Sequence, residues 1–96
     1  TYTAREFNAE EALTLGFATR LSDDPHADAM TLARAIAGRN PHAIRAAKRL
    51  ANLAVEANAP KILATESAEQ ALLMRSPNQI EAVMANTQNR APNFTD

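Results

Sequence analysis

Cysteine is absent from the 96 residues, so neither a disulfide framework nor a thiolate zinc site can be built, and a reducing compartment, the cytoplasm, is the expected setting. Glycine occurs twice, as Gly16 and Gly38. That excludes a P-loop and a dinucleotide fingerprint, both of which need several glycines within a few residues. Tryptophan is missing, aromatics make up 4% of the chain, and only Phe94 lies beyond Phe17, so the stacking surface of a nucleic-acid binder is lacking. No sign of charge dominates: 10 Lys and Arg stand against 11 Asp and Glu, for a net charge of -1, and no bulk attraction to nucleic acid or anionic lipid follows. Neither an apolar run of membrane-spanning length nor a basic-then-apolar leader occurs, so no membrane partner is expected. The first residue is Thr1, not methionine, which points to a piece of a longer protein.

What is present is helix punctuation. Asp24-Pro25, Asn40-Pro41 and Ser76-Pro77 each place proline one residue after a capping side chain, where its missing N–H costs nothing and its fixed φ suits a first helical turn. Asn8 with Glu11 three residues later forms a capping-box-like pair, and Gly16 closes a first helix of roughly two turns. Phe17 to Leu21 reads as coil or an isolated strand, having no partner strand. A helix from Pro25 to about Ala37 aligns Ala29, Leu32, Ala33, Ile36 and Ala37 on one face expected to be buried, and Gly38 stops it. From Pro41 to about Val55, Ala43, Ala47, Leu50, Ala51 and Ala54 make a narrow stripe that lets a neighbouring helix come close. After the break at Ala57-Asn58-Ala59-Pro60, a third long helix runs to about Met74 with apolar residues over more than half its circumference, as if touching two neighbours. The last helix carries Ile80, Val83, Met84 and Thr87 on one face, opens with a capping box of Ser76 and Gln79, and is stopped by Pro92, with an extended tail beyond. The expected fold is all-α, four to five helices in a single helical segment over residues 1–96.

Side chains capable of chemistry are few. His26 and His42 each follow a first-turn proline with no Glu or His at ligand spacing, so they read as exposed first-turn residues and no metal site is expected. Glu66 and Glu69, three apart on one helix, could converge on a substrate, yet a glutamate pair on the polar side of an amphipathic helix is usually a solvated face. Arg45, Lys48 and Arg49 form the one basic cluster and could hold a phosphate, or simply be wet. Glu10-Glu11 and Asp23-Asp24 sit at helix starts, where negative charge meets the positive end of the helix dipole. No catalytic residue is assigned. Hydrophobic types make up 46% of the chain, many of them alanines spread round the helices, so apolar faces are left over for a partner or for the rest of the parent chain. A free-standing helical module that binds a partner helix remains the alternative, and an acyl-chain carrier would need an enclosed apolar cavity.

The residues also carry a family resemblance. The run Thr3-Ala4-Arg5-Glu6-Phe7-Asn8-Ala9-Glu10-Glu11-Ala12-Leu13-Thr14-Leu15-Gly16-Phe17-Ala18 resembles the pattern T-G-R-x-F-S-A-E-E-A-L-x-L-G-L-V of the enoyl-CoA hydratase/isomerase (crotonase) family. The likeness continues through Asn40-Pro41, Ala46-Ala47-Lys48-Arg49-Leu50, Ser76-Pro77-Asn78-Gln79-Ile80-Glu81-Ala82-Val83 and Arg90-Ala91-Pro92-Asn93-Phe94, in order along the whole chain. In that family such a stretch is the C-terminal, mostly helical part. It follows a core that binds acyl-CoA, polarises the thioester in an oxyanion hole and, in hydratases, uses two glutamates to add water to a 2-enoyl thioester.

The resemblance therefore implies an enzyme whose chemistry lies upstream of Thr1, with no cofactor beyond the coenzyme A thioester it acts on. The implied partners are its own N-terminal catalytic core, neighbouring subunits of a homotrimer or hexamer, and acyl-CoA. The implied interface residues are Ile80, Val83, Met84 and Phe94. Three departures stand out: Ala4 where the family has Gly, Phe17 where it has Leu, and Asn89 where many members carry a Lys able to reach a CoA phosphate. The last leaves Arg90 as the remaining candidate for that contact.

Overall fold

The computed structural model describes residues 2–96, which form five helices: α1 (Ala9–Thr14), α2 (Pro25–Ala37), α3 (Pro41–Leu53), α4 (Ala59–Leu73) and α5 (Pro77–Thr87). No strand occurs among the described residues, and Phe17 to Leu21 is irregular coil. The chain divides into two compact units, Thr1–Ala33 and Arg34–Asp96, with the division falling inside α2.

In the first unit a six-residue helix has to be held from outside itself, because so short a helix is unstable in isolation. The Asn8 side chain accepts the Glu11 N–H at 2.9 Å, as the capping pattern requires. The reciprocal half of the box is not made: the Glu11 carboxylate turns instead to the Arg5 guanidinium, with one bond at 3.0 Å. At the other end Gly16 adopts φ +78. Phe17 N–H reaches Ala12 O at 2.9 Å and Gly16 N–H reaches Leu13 O at 3.1 Å, the two bonds of a Schellman motif. Phe7, just before the helix, stacks on Phe17, just after it, with centroids 5.4 Å apart. The departure at Ala4 has a physical meaning here. Its φ is 51, a left-handed conformation that glycine adopts freely and alanine at a cost of about 1–2 kcal/mol. Asp24 caps α2 by accepting the Ala27 N–H at 3.0 Å.

In the second unit α3 packs on α4. Asn40, Asn58 and Ser76 cap α3, α4 and α5 through their side-chain oxygens, and a proline sits in the first turn of each. The stripe on α3 is rotated by a residue from the expected one. Ala46 is buried, with Ala43, Leu50 and Leu53 half-buried, whereas Ala47, Ala51 and Ala54 are exposed. The packed face follows the i, i+3, i+7 row that meets Leu73 and Glu69 of α4, not the row richest in alanine. The face predicted to be buried on α2 is exposed, Leu32 and Ile36 included. Of the apolar side chains on α4, Ile62 and Leu73 are half-buried while Leu63 and Leu72 stand exposed.

Two left-handed residues shape the C-terminal third. Arg75, at φ 62, follows Met74 in a type II turn closed by Ser76 N–H to Leu73 O at 3.1 Å, so α4 passes directly into the cap of α5. Asn89, at φ 51, ends α5 in a second Schellman motif, Arg90 N–H to Ala85 O at 3.0 Å and Asn89 N–H to Asn86 O at 3.2 Å. The stop for α5 is thus Asn89, three residues before Pro92. Asparagine tolerates the left-handed region better than lysine does, which gives the Asn89 departure a structural reason.

Candidate functional site

Beyond Asn89 the chain turns back along α5, and the side chains of Glu81, Arg90 and Asn78 bind the two together. Glu81, one turn into α5, accepts both arms of the Arg90 guanidinium, one at 2.9 Å, and the Asn93 N–H at 2.7 Å. These donors, the guanidinium first and the backbone N–H second, hold the Glu81 carboxyl down at about 2. Asn78, 2% exposed, is the only polar side chain among the described residues that is buried. Its amide pairs with Thr95 as a neighbouring strand would: Thr95 N–H donates to Oδ1 at 2.9 Å and Nδ2 donates to Thr95 O at 2.6 Å. The second proton of Nδ2 points to Nδ1 of His42 on α3, 3.2 Å away. Asp96 finally meets Arg45 at 2.6 Å. Residues Ser76 to Val83 and Arg90 to Phe94, which read as separate motifs in the sequence, therefore belong to one device.

Glu81 gives this device a pH dependence in the acid range. Its carboxyl lies below the ordinary 4.5, so the stabilisation is complete above that value and is lost as pH falls toward about 2. Hydrogen exchange of the Asn93 amide, corrected for its intrinsic rate, should accelerate over that acid range. In Glu81→Gln, whose amide oxygen can still accept the Asn93 N–H but does not titrate, that acid response should disappear.

Beside the tail, His42, Arg45, Arg49, Glu69, Leu72, Leu73 and Ser76 line a cleft of ≈ 210 Å³. The Arg49 guanidinium grips Glu69 through two bonds at 2.6 and 2.7 Å, joining α3 to α4 and lowering the Glu69 carboxyl below its usual range. Glu66 and Glu69 do not act as a pair: Glu69 is committed to Arg49, and Glu66 lies on an exposed surface. The basic cluster is likewise divided, Arg45 to Asp96 and Arg49 to Glu69, with Lys48 exposed.

The other sequence-predicted residues are placed as follows. His26 is exposed, as expected, but His42 is half-buried and bound to Asn78; its position in the first turn of a capped helix gave no sign that α5 would cross there. Arg90 binds Glu81 through two bonds, Gln88 at 2.8 Å and Ala91 O at 3.0 Å, so one of the five guanidinium N–H groups remains unused. Ile80, Val83 and Met84 share a face of α5 and are 52%, 54% and 46% exposed, while the face this unit itself covers is that of Asn78 and Ala85. Phe94 is half-buried and lines a second cleft with Ala82, Ala85 and Pro92. Among the described residues no group of three or more His, Asp or Glu side chains is placed to hold a metal, and no helix is long and apolar enough to cross a membrane.

The chain matches no family model and no curated protein. Its all-helical fold is nonetheless found within a solved enzyme structure. It is similar to part of an enoyl-CoA hydratase from Polaromonas sp. JS666, with a TM-score of 0.85 and 22% identity over 97% of this chain. The match spans 37% of that enzyme's length, and at this identity it is a likeness of fold. The all-α expectation and the resemblance of this stretch to the hydratase/isomerase family are borne out at that level.

Proposed function

We propose that this chain is the C-terminal assembly and active-site-covering segment of an enoyl-CoA hydratase/isomerase family enzyme, and that the parent adds water to 2-enoyl-CoA thioesters. The observation that carries this reading is the fold match, which takes in 97% of this chain and 37% of a hydratase. Burial supports it. The only buried apolar residues among those described are Ala46 and Ala85, whereas Ile80, Val83, Met84, Leu63 and Leu72 lie open. So small a core weighs against a free-standing module and favours helices that are completed by other protein. In this reading the catalytic core of the parent chain and neighbouring subunits of a trimer or hexamer cover those faces. The thioester-polarising N–H groups and the two glutamates come from the core. Arg90, with one N–H to spare, is the residue of this chain assigned to a CoA phosphate.

The test is to supply saturating crotonyl-CoA to the 96-residue chain and to the intact parent, following loss of the enoyl absorbance. The parent should turn over and the segment should not. Robust hydration by the segment alone would sink the claim that the chemistry resides elsewhere.

A further inference from the structure

The buried amide of Asn78 joins three elements, and its chemistry permits only one protonation state of a neighbour. Its orientation is set by Thr95, whose backbone polarity is unambiguous: the N–H at 2.9 Å must face Oδ1 and the carbonyl at 2.6 Å must face Nδ2. Nδ2 thus spends one proton on Thr95 and directs the other at His42 Nδ1, 3.2 Å away. An amide nitrogen only donates, so the contact is a hydrogen bond when His42 Nδ1 is the acceptor and the ring proton sits on Nε2.

We infer that His42, Asn78 and Thr95 form a proton-gated clasp, in which protonation of His42 releases the chain's final residues from α5. An imidazolium presents N–H at both ring nitrogens and sets donor against donor at Nδ2. Turning the amide over to offer Oδ1 to His42 would set it against Thr95 instead, N–H to N–H and oxygen to oxygen. One amide satisfies the docked tail or the protonated ring, not both.

The charged groups around the ring offer no substitute. Arg45 and Arg49 from α3 line the same cleft and are cations, Glu69 from α4 is held by Arg49, and Asp96 of the tail is held by Arg45. Release would also open the cleft that Phe94 lines with Ala82 and Ala85. Every contact of the clasp lies within the second unit.

The test is hydrogen exchange of residues 93–96 in the intact protein, corrected for intrinsic rates, as pH is lowered from about 8 to about 5, the range in which histidine changes charge. Protection of the Thr95 amide should fall about tenfold, the equivalent of one hydrogen bond to a buried group. In His42→Gln, which offers an acceptor that does not titrate, it should stay level. In Asn78→Asp the sign should invert: the carboxylate still accepts from Thr95 N–H but welcomes an imidazolium, so docking should strengthen on acidification. Level protection in the native protein, or an unchanged acid response in His42→Gln, would overturn the clasp.

Discussion

Ile80→Asp or Met84→Asp in the intact protein is expected to weaken subunit association by about a hundredfold or more, while leaving the helix itself formed. Both residues lie on the same face of α5 as Val83, four positions apart, and both are about half exposed in this chain. A charge at either therefore costs the isolated fold little, within about 0.5–1 kcal/mol for a surface position. Buried against an apolar partner surface, the same carboxylate must shed its water without a counter-charge, at several kcal/mol. Sedimentation of the variants beside a circular dichroism spectrum separates the two effects. Native assembly in both variants would remove α5 from the interface, and lost helicity would show that its exposed face has an internal role.

The second large effect is expected at Asn78. Asn78→Ala deletes the partner of Thr95 N–H, of Thr95 C=O and of His42 Nδ1 at a site 2% exposed. Three lost hydrogen bonds and the small void left behind should destabilise by about 2–3 kcal/mol. Because the tail is anchored a second time at Glu81, residues 90–93 should stay docked while 94–96 come free. Denaturant unfolding gives the magnitude, and exchange along the tail shows where protection ends. Asn52→Ala, at an exposed position on α3, serves as the control and should change stability by less than about 0.5 kcal/mol. Equal effects of the two substitutions would mean that the amide network contributes nothing.

Helix positions were legible because their signals are local. Asn8, Asp24, Asn40 and Ser76 cap their helices through hydrogen bonds to residues two or three positions on, a distance sequence spacing specifies directly. The ends were less so. Pro92 looked like the stop of α5 because proline is conspicuous, whereas Asn89 ends it by adopting a left-handed conformation, a habit asparagine shows only at some positions. The buried faces were misjudged for a related reason. Periodicity marks which residues share a face of α2 or α3 but not which face finds a neighbour, and Ala46, at the centre of the α3 contact, differs in no way from the exposed Ala47 beside it.

The helices and their order follow from local signals, since caps, prolines and apolar periods act over three or four residues. Only the tertiary structure decided what those helices do with their charges and amides. It paired Arg90, the phosphate candidate, with Glu81, made the unremarked Asn78 the buried link between α3, α5 and the tail, and joined the two closing motifs by hydrogen bonds. The reason is geometric: Asn78 and Thr95 are 17 residues apart and Asn78 and His42 are 36 apart. No local rule relates residues at such separations until α3, α5 and the returning tail are packed together.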